Sequence, residues 1–375
     1  MEIRDSAGGG GTINHIEDSG GMSSVVSRAQ QEFGSDTVWL NSASMGLPPR
    51  RTVTALRTAI EDWEAGRADA VGYDAPLNRA RQLYAGLVGV GAGQVAVGSQ
   101  ASVLVGLIAA SLPPGSEVLT VAGEFTSVTF PFHARVAAGH DITVREVPLQ
   151  SLPDEVRTST TWVAVSAVQS ADGQLVDTDA LSEACGRTGT RVLLDTTQAV
   201  GWLPVDAGRW AVTVCGGYKW LLNPRGTAFL TVTPDLLDVL VPTSASWYAG
   251  EDPWTSIYGS PLRLAADARR FDVSPAWHSW VGAAPSLELL TEVGTTVLHQ
   301  HAVGLARRFC AGVDLPVGRS AIVSCVVSDV GTAAMTAARI VGATRAGRLR
   351  LAFHISTTSR DVDRAIAALK GSVYP

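Results

Sequence analysis

Charged residues make up only 17% of the 375-residue chain, and nowhere do Lys and Arg gather into a run. With a formal net charge of −6, the chain lacks the basic footprint that holds nucleic acid or an anionic membrane, which points to a small-molecule partner. Long hydrophobic runs are missing too. Stretches such as Val103–Ala110 fall far short of the roughly 20 residues that span a bilayer, and no basic start followed by an apolar stretch opens the chain. The expectation is a cytoplasmic protein with no membrane partner. Cysteine is sparse: Cys185, Cys215, Cys310 and Cys325 lie far apart in apolar surroundings with no Cys-x-x-Cys, so buried thiols are expected rather than disulfides or a zinc site. His299 and His301 do not suggest a metal either, because side chains two apart on a helix diverge; a solvated helix face is expected. There is no internal repeat. The fragment Gly89–Gly93 resembles a dinucleotide loop only superficially, since it follows a helix and precedes a strand, the reverse of the order that fold requires.

What is present is apolar, 46% of residues, in a chain too long for one core, so a large domain and a smaller one are expected. Residues 1–24 are glycine-rich without periodicity and suggest a flexible tail, with core structure from about Ser27. Val53, Leu56, Ile60 and Trp63 recur at helical spacing after Pro48 and Pro49, and Leu77, Tyr84, Leu87 and Val88 suggest a second helix. Short β-branched runs then alternate with helical stretches: Val95–Val97, Val118–Val121, Ile142–Val147, Trp162–Val165, Val192–Leu194, Val212–Val214 and Ala228–Val232. That alternation predicts an α/β fold with a mainly parallel sheet over residues 25–270. Beyond Phe271 the pattern shifts to one long helical region, Val281–Phe309, then strands at Ala321–Val327 and Arg348–Phe353 and a helix at Asp361–Leu369. This predicts a smaller α+β domain over 271–375, which the N-terminal segment of the large domain is free to join.

Two residues carry the chemistry. Asp195 closes the apolar run Arg191–Leu194, the edge at which open α/β sheets bind ligands. Lys219 sits between Tyr218 and Trp220-Leu221-Leu222. Alone, the pair has an equally good structural explanation, a lysine snorkelling and an aspartate capping a helix. Together they suit a chemistry that needs an amine of depressed pKa to attack an aldehyde and a carboxylate to keep a pyridine nitrogen protonated.

From about Val38 to Leu369 the chain resembles the class V aminotransferases, pyridoxal 5′-phosphate (PLP) enzymes of fold-type I, the aspartate aminotransferase-like fold. The resemblance rests on Asp195-x-x-Gln198 followed by the Lys219 segment. It implies a Schiff base between PLP and Lys219, Asp195 on the pyridine nitrogen and Gln198 near the phenolic oxygen. It places the phosphate at Ser99, Gln100 and Ala101, where a glycine turn enters a helix and presents backbone N–H groups, with Tyr218 where the family carries a phosphate-binding His. Phe125 matches the ring that stacks on the cofactor. Ala167 stands where many members have an Asn, with Ser166 or Gln169 as substitutes. Around Arg270–Trp277 the chain departs from the family's Gly-Thr pair that reaches the partner's phosphate, although a homodimer is still implied.

The same resemblance assigns Arg350 to an amino-acid substrate's carboxylate, which a planar guanidinium holds through two parallel hydrogen bonds, with Ser44 and Asn41 as further substrate contacts. Where desulfurases carry a catalytic Cys, this chain reads Arg339–Gly347, and without a positioned thiolate the persulfide route has no basis. Trp247–Trp254, Tyr258 and Phe271–Trp277 resemble actinobacterial, isopenicillin N epimerase-like enzymes that process cysteine S-conjugates in lincosamide and ergothioneine biosynthesis. The expected reaction is therefore C–S cleavage, with decarboxylation-coupled oxidative deamination or transamination as alternatives. Tyr73, Trp247, Tyr248, Trp254, Tyr258 and Trp277 are candidate walls for a bulky conjugate.

Overall fold

The computed structural model describes residues 19–375, so most of the expected tail lies outside the described residues. Its last part is helical: α1 spans Ser19–Gln30 and buries Ala29, with Val25 and Val26 alongside, against the main core. That apolar contact offsets the ordering entropy, and on it we place α1 with the core.

After a short strand, β1 (Val38–Trp39), come α2 (Arg50–Glu64) and α3 (Asp74–Leu87). Gly89, with φ 73, turns the chain out of α3, as a glycine in the left-handed region does at a helix end. Strands and helices then alternate as β2 (Val95–Gly98), α4 (Ala101–Ala110), β3 (Ser116–Val121), α5 (Thr126–Ala137), β4 (Ile142–Val147), β5 (Thr160–Ser166), α6 (Thr178–Thr188), β6 (Arg191–Asp195), β7 (Val212–Gly216) and β8 (Ala228–Val232). These strands form a seven-stranded sheet in the order β2-β8-β7-β6-β5-β3-β4. Neighbours from β4 to β7 pair in parallel, while β8 runs antiparallel to both β7 and β2. Every residue of β7 and β8 is buried, as continuous apolar runs require when helices cover both faces.

Two helices, α7 (Trp277–Val293) and α8 (Thr295–Gly312), replace the single one expected. Gly294 separates them at φ 82, a conformation that side-chain-bearing residues avoid, and apolar periodicity is blind to such a break. Next come β9 (Ile322–Val327), α9 (Asp329–Ala337), β10 (Ile340–Val341), β11 (Ala343–Arg345), β12 (Arg348–Ala352), α10 (Ser359–Leu369) and β13 (Val373–Tyr374). β11, β12, β9 and β13 make an antiparallel sheet. The N-terminal segment joins this layer: β1 pairs with β10, and Val38 and Leu40 pack with Phe309 and Phe353. In contrast, Trp280, Leu287 and Leu290 of α7 share a core with Tyr84 and Phe229. On that packing we place the division between the layers after α7 rather than at residue 271.

All four cysteines are buried and free. Among the described residues no helix is long and apolar enough to cross a membrane, and no cluster of ligands could hold a metal. His299 and His301 are half-buried rather than solvated, bonded to the carbonyls of Trp202 at 3.2 Å and Thr357 at 3.0 Å. The expectation of a solvated face fails because both α8 faces concerned pack on other elements.

A buried ion pair secures β2, the strand that leads into Ser99. Arg81 donates to Asp272 at 2.7 Å and to the Val95 carbonyl, and Asp272 accepts from the Val97 amide at 2.7 Å. Removing one partner of such a pair leaves a buried charge uncompensated. Arg81→Ala is therefore expected to cost about 3–5 kcal/mol, read as a lower denaturant midpoint; a midpoint like that of the unaltered protein would show that Arg81 does not secure β2.

Candidate active site

The parallel strands end where the site begins. Ser166 closes β5, Asp195 closes β6 and Gly216 closes β7, and the turn beyond Gly98 of β2 enters α4. Ser99, Gln100, Ala101, Phe125, Asp195, Tyr218 and Lys219 line one cavity with about 600 Å³ of atom-free space. Seven positions that the sequence singled out thus converge.

Lys219 is one of two lysines in the chain, and the other, Lys370, is exposed just past α10. The Lys219 side chain is buried, which pulls its pKa down to about 8, against the opposing attraction of Asp195 and with the help of Arg350 and Arg345. Its Nζ lies 5.0 Å from the Phe125 ring centre. Phe125 is 42% exposed, so its ring faces the cavity and is not core packing. The approach of the N-terminal segment fixes the lysine's backbone. A Cβ on Gly46 would stand 2.2 Å from the Lys219 carbonyl oxygen, so only glycine fits there. Next door, the Trp220 indole donates to Gln198 Oε1 at 2.7 Å, and its carbonyl contacts His354 Nε2 at 3.0 Å. Burial holds His354 down to about 3, so its ring is neutral and donates.

Asp195 is buried, which raises its pKa, while the Thr197 amide donates to it at 2.7 Å and holds it back. At the cavity's other end, Gln100 caps α4 without a side-chain hydrogen bond, which leaves the first helical N–H groups for an anion. Arg225, which sequence reasoning missed, lines the same end 4.8 Å from the Tyr218 ring centre. A buried amine of depressed pKa, a buried carboxylate, an exposed ring face and a cationic helix end in one cavity fit PLP.

Other expected contacts sit differently. Ser166 donates to Glu124 at 2.6 Å and Gln169 does so at 3.0 Å, while the Phe125 amide donates to the same carboxylate at 2.7 Å. Glu124, unnoticed in the sequence, thus occupies the groups expected to replace the family Asn, and orients Phe125. Gln198 gives its amide hydrogens to the Ala43 carbonyl and Ser170, both at 3.0 Å, so it ties the N-terminal segment to the site. Tyr73, Trp247, Tyr248, Trp254, Tyr258 and Trp277 are absent from the cavity lining. Tyr73 stacks on Trp277, and Asp74 accepts from Tyr248 at 2.7 Å and Trp254 at 2.6 Å. Tyr258 apart, which is 87% exposed, these aromatic residues pack on one another or on Asp74.

Arg350 is almost fully buried, and burial pulls its pKa down to about 10. It donates to the Ser170 carbonyl, to Ser170 Oγ at 3.1 Å and to Ser44 Oγ at 2.8 Å, and its Nε has no partner. Asn41 Oδ1 is likewise buried without a donor. No carboxylate pairs with Arg350 among the described residues, which leaves this guanidinium able to take an anion.

The aminotransferase class-V family model matches residues 78–329. An uncharacterized aminotransferase of Bacillus subtilis (strain 168) is 28% identical over 309 residues, 76% of this chain and 81% of that protein. The isopenicillin N epimerase of Streptomyces clavuligerus is 29% identical over 68% of this chain and 69% of its own. A solved cystine C–S lyase in complex with its reaction product, cysteine persulfide, superposes with a TM-score of 0.80 at 21% identity, over 90% of this chain and 98% of that one.

The depressed Lys219 pKa has a definite sign. Below about pH 8 the amine is protonated in folded and unfolded chains alike, and its burial penalty is fully felt; between about 8 and 10.5 the unfolded chain binds more protons, so the cofactor-free protein gains stability with rising pH. Capture of PLP by that protein, trapped with borohydride, should accordingly rise about tenfold per pH unit up to about pH 8 and then level off. Peptide mapping should place the label on Lys219; a label elsewhere, or a rate still climbing at pH 10, contradicts this.

Proposed function

The chain belongs to the class V aminotransferase family of fold-type I, PLP-dependent enzymes, and on that premise we propose that it is a C–S lyase for a cysteine S-conjugate. The observation that carries the reading is Arg350, a buried guanidinium without an acidic partner, whose charge helps to lower the pKa of the Lys219 amine. An α-carboxylate held there is stabilised as an anion, which disfavours its loss as carbon dioxide. Bound PLP supplies an electron sink that stabilises negative charge at the substrate's Cα. Lys219 Nζ takes the Cα proton, and the electron pair left behind expels the sulfur on Cβ as a thiolate. With one water, the products are a thiol, pyruvate and ammonia.

The cysteines support elimination over persulfide transfer. Cys215 is buried and pushed up to about 12, first by burial and then by Asp195, while Cys185, Cys310 and Cys325 lie within apolar cores. Where a catalytic cysteine loop would run, the chain makes the hairpin of β11 and β12. The pathway context, lincosamide-type or ergothioneine-type metabolism in an actinobacterium, rests on the likeness of the Trp247–Trp254 and Phe271–Trp277 segments. We also propose a homodimer, supported by the exposed Trp63 and Ile60 of α2 and by Val71, beside the Tyr73–Trp277 stack.

Anaerobic incubation with S-alkylcysteines is expected to release thiol, pyruvate and ammonia in equal amounts. Arg350→Ala should raise KM by about tenfold or more. Formation of carbon dioxide and an S-linked acetaldehyde, only with oxygen present, would instead establish oxidative deamination. Light scattering is expected to give twice the chain mass, and an active monomer would refute the dimer.

A further inference from the structure

The proposed reaction leaves one charge pattern unused, on the β11–β12 hairpin. Ala346 at φ 47 and Gly347 at φ 75 both lie in the left-handed region, the geometry of a two-residue turn matched to strand twist. Arg345 is therefore directly opposite Arg348, and Ala343 opposite Arg350. Cross-strand partners share a face, as do residues two apart on a strand, so Arg345, Arg348 and Arg350 stand on one face of the small sheet. Opposed like charges destabilise a strand pair. Yet among the described residues none of the three forms an ion pair.

Arg348 is occupied by Ser324, donating to its Oγ at 3.2 Å. Arg345 and Arg350 instead converge on one neutral acceptor, Ser44 Oγ, at 3.2 and 2.8 Å. A hydroxyl accepts both hydrogen bonds but neutralises neither charge. Arg345 also lowers the proton affinity of both Lys219 and Arg350, so its field reaches the amine. Arg350 is buried and Arg345 exposed, so the two cations stand at different depths around Ser44, and the charge of each reaches Lys219.

We propose that Arg345 holds a second acidic group, so that the enzyme's amino-acid substrate carries a carboxylate on its side chain as well as the one held by Arg350. The inference rests on the reading of Arg350 as the α-carboxylate site. It requires C–S cleavage only for the choice of conjugate.

Two measurements on the holoenzyme test it. Glutarate is expected to bind about tenfold or more tightly than its monomethyl ester in calorimetric titration, and Arg345→Gln should shrink that ratio to about twofold or less. In turnover, S-(2-carboxyethyl)cysteine should exceed its neutral amide, S-(2-carbamoylethyl)cysteine, by a similar factor in kcat/KM. Arg345→Gln should erase the preference through KM rather than kcat. If the lyase reading is wrong, neither conjugate is cleaved, but the glutarate preference and its loss in the variant persist. Equal binding of glutarate and its ester, a preference that Arg345→Gln retains, or equal weakening of both ligands would each overturn the proposal, the last because it places Arg345 on the α-carboxylate.

Discussion

The desolvation of a single amine sets the conditions for the rest of the site. Lys219 is charged in water, and burying it costs free energy that the nearby Asp195 only partly returns. Such a group stays buried only if its backbone has nowhere else to go. Gly46 presses on its carbonyl, Gln198 holds the following indole, and His354 reaches across from the small layer to the Trp220 carbonyl. The N-terminal segment, the large sheet and the small domain therefore all grip the same two residues, which couples their stability to the reactivity of the amine.

The same grip organises the substrate side. Ser170 accepts from both Gln198 and Arg350, and Ser44 from both Arg350 and Arg345. A continuous chain of hydrogen bonds thus runs from the lysine's neighbour to the exposed hairpin. It contains cations and neutral acceptors but no carboxylate, although the protein as a whole carries a net charge of −6. Local electrostatics here run against the global charge, the arrangement expected where an anionic ligand supplies the missing sign.

What the sequence by itself determined follows from short-range rules. Apolar runs with both faces buried specified the central strands of the large sheet, because each such strand reports its own covering. A carboxylate at a strand end and a lysine among apolar and aromatic residues marked the candidate site, since residue type and position in an element are local properties, while the resemblance to a known family assigned its chemistry. The break at Gly294, by contrast, left the apolar period intact and stayed invisible.

Only the tertiary structure decided which groups meet. Glu124 turned Ser166 and Gln169, 42 and 45 residues away, into its own ligands, and five of the six aromatic residues expected around the substrate packed on one another instead. Arg345 touches Ser44 across 301 residues of sequence, and Arg81 finds Asp272 across 191. Periodicity reports neighbours within a turn or along a strand. A contact between distant residues exists only once several elements have packed, because its direction and distance are set by all of them together.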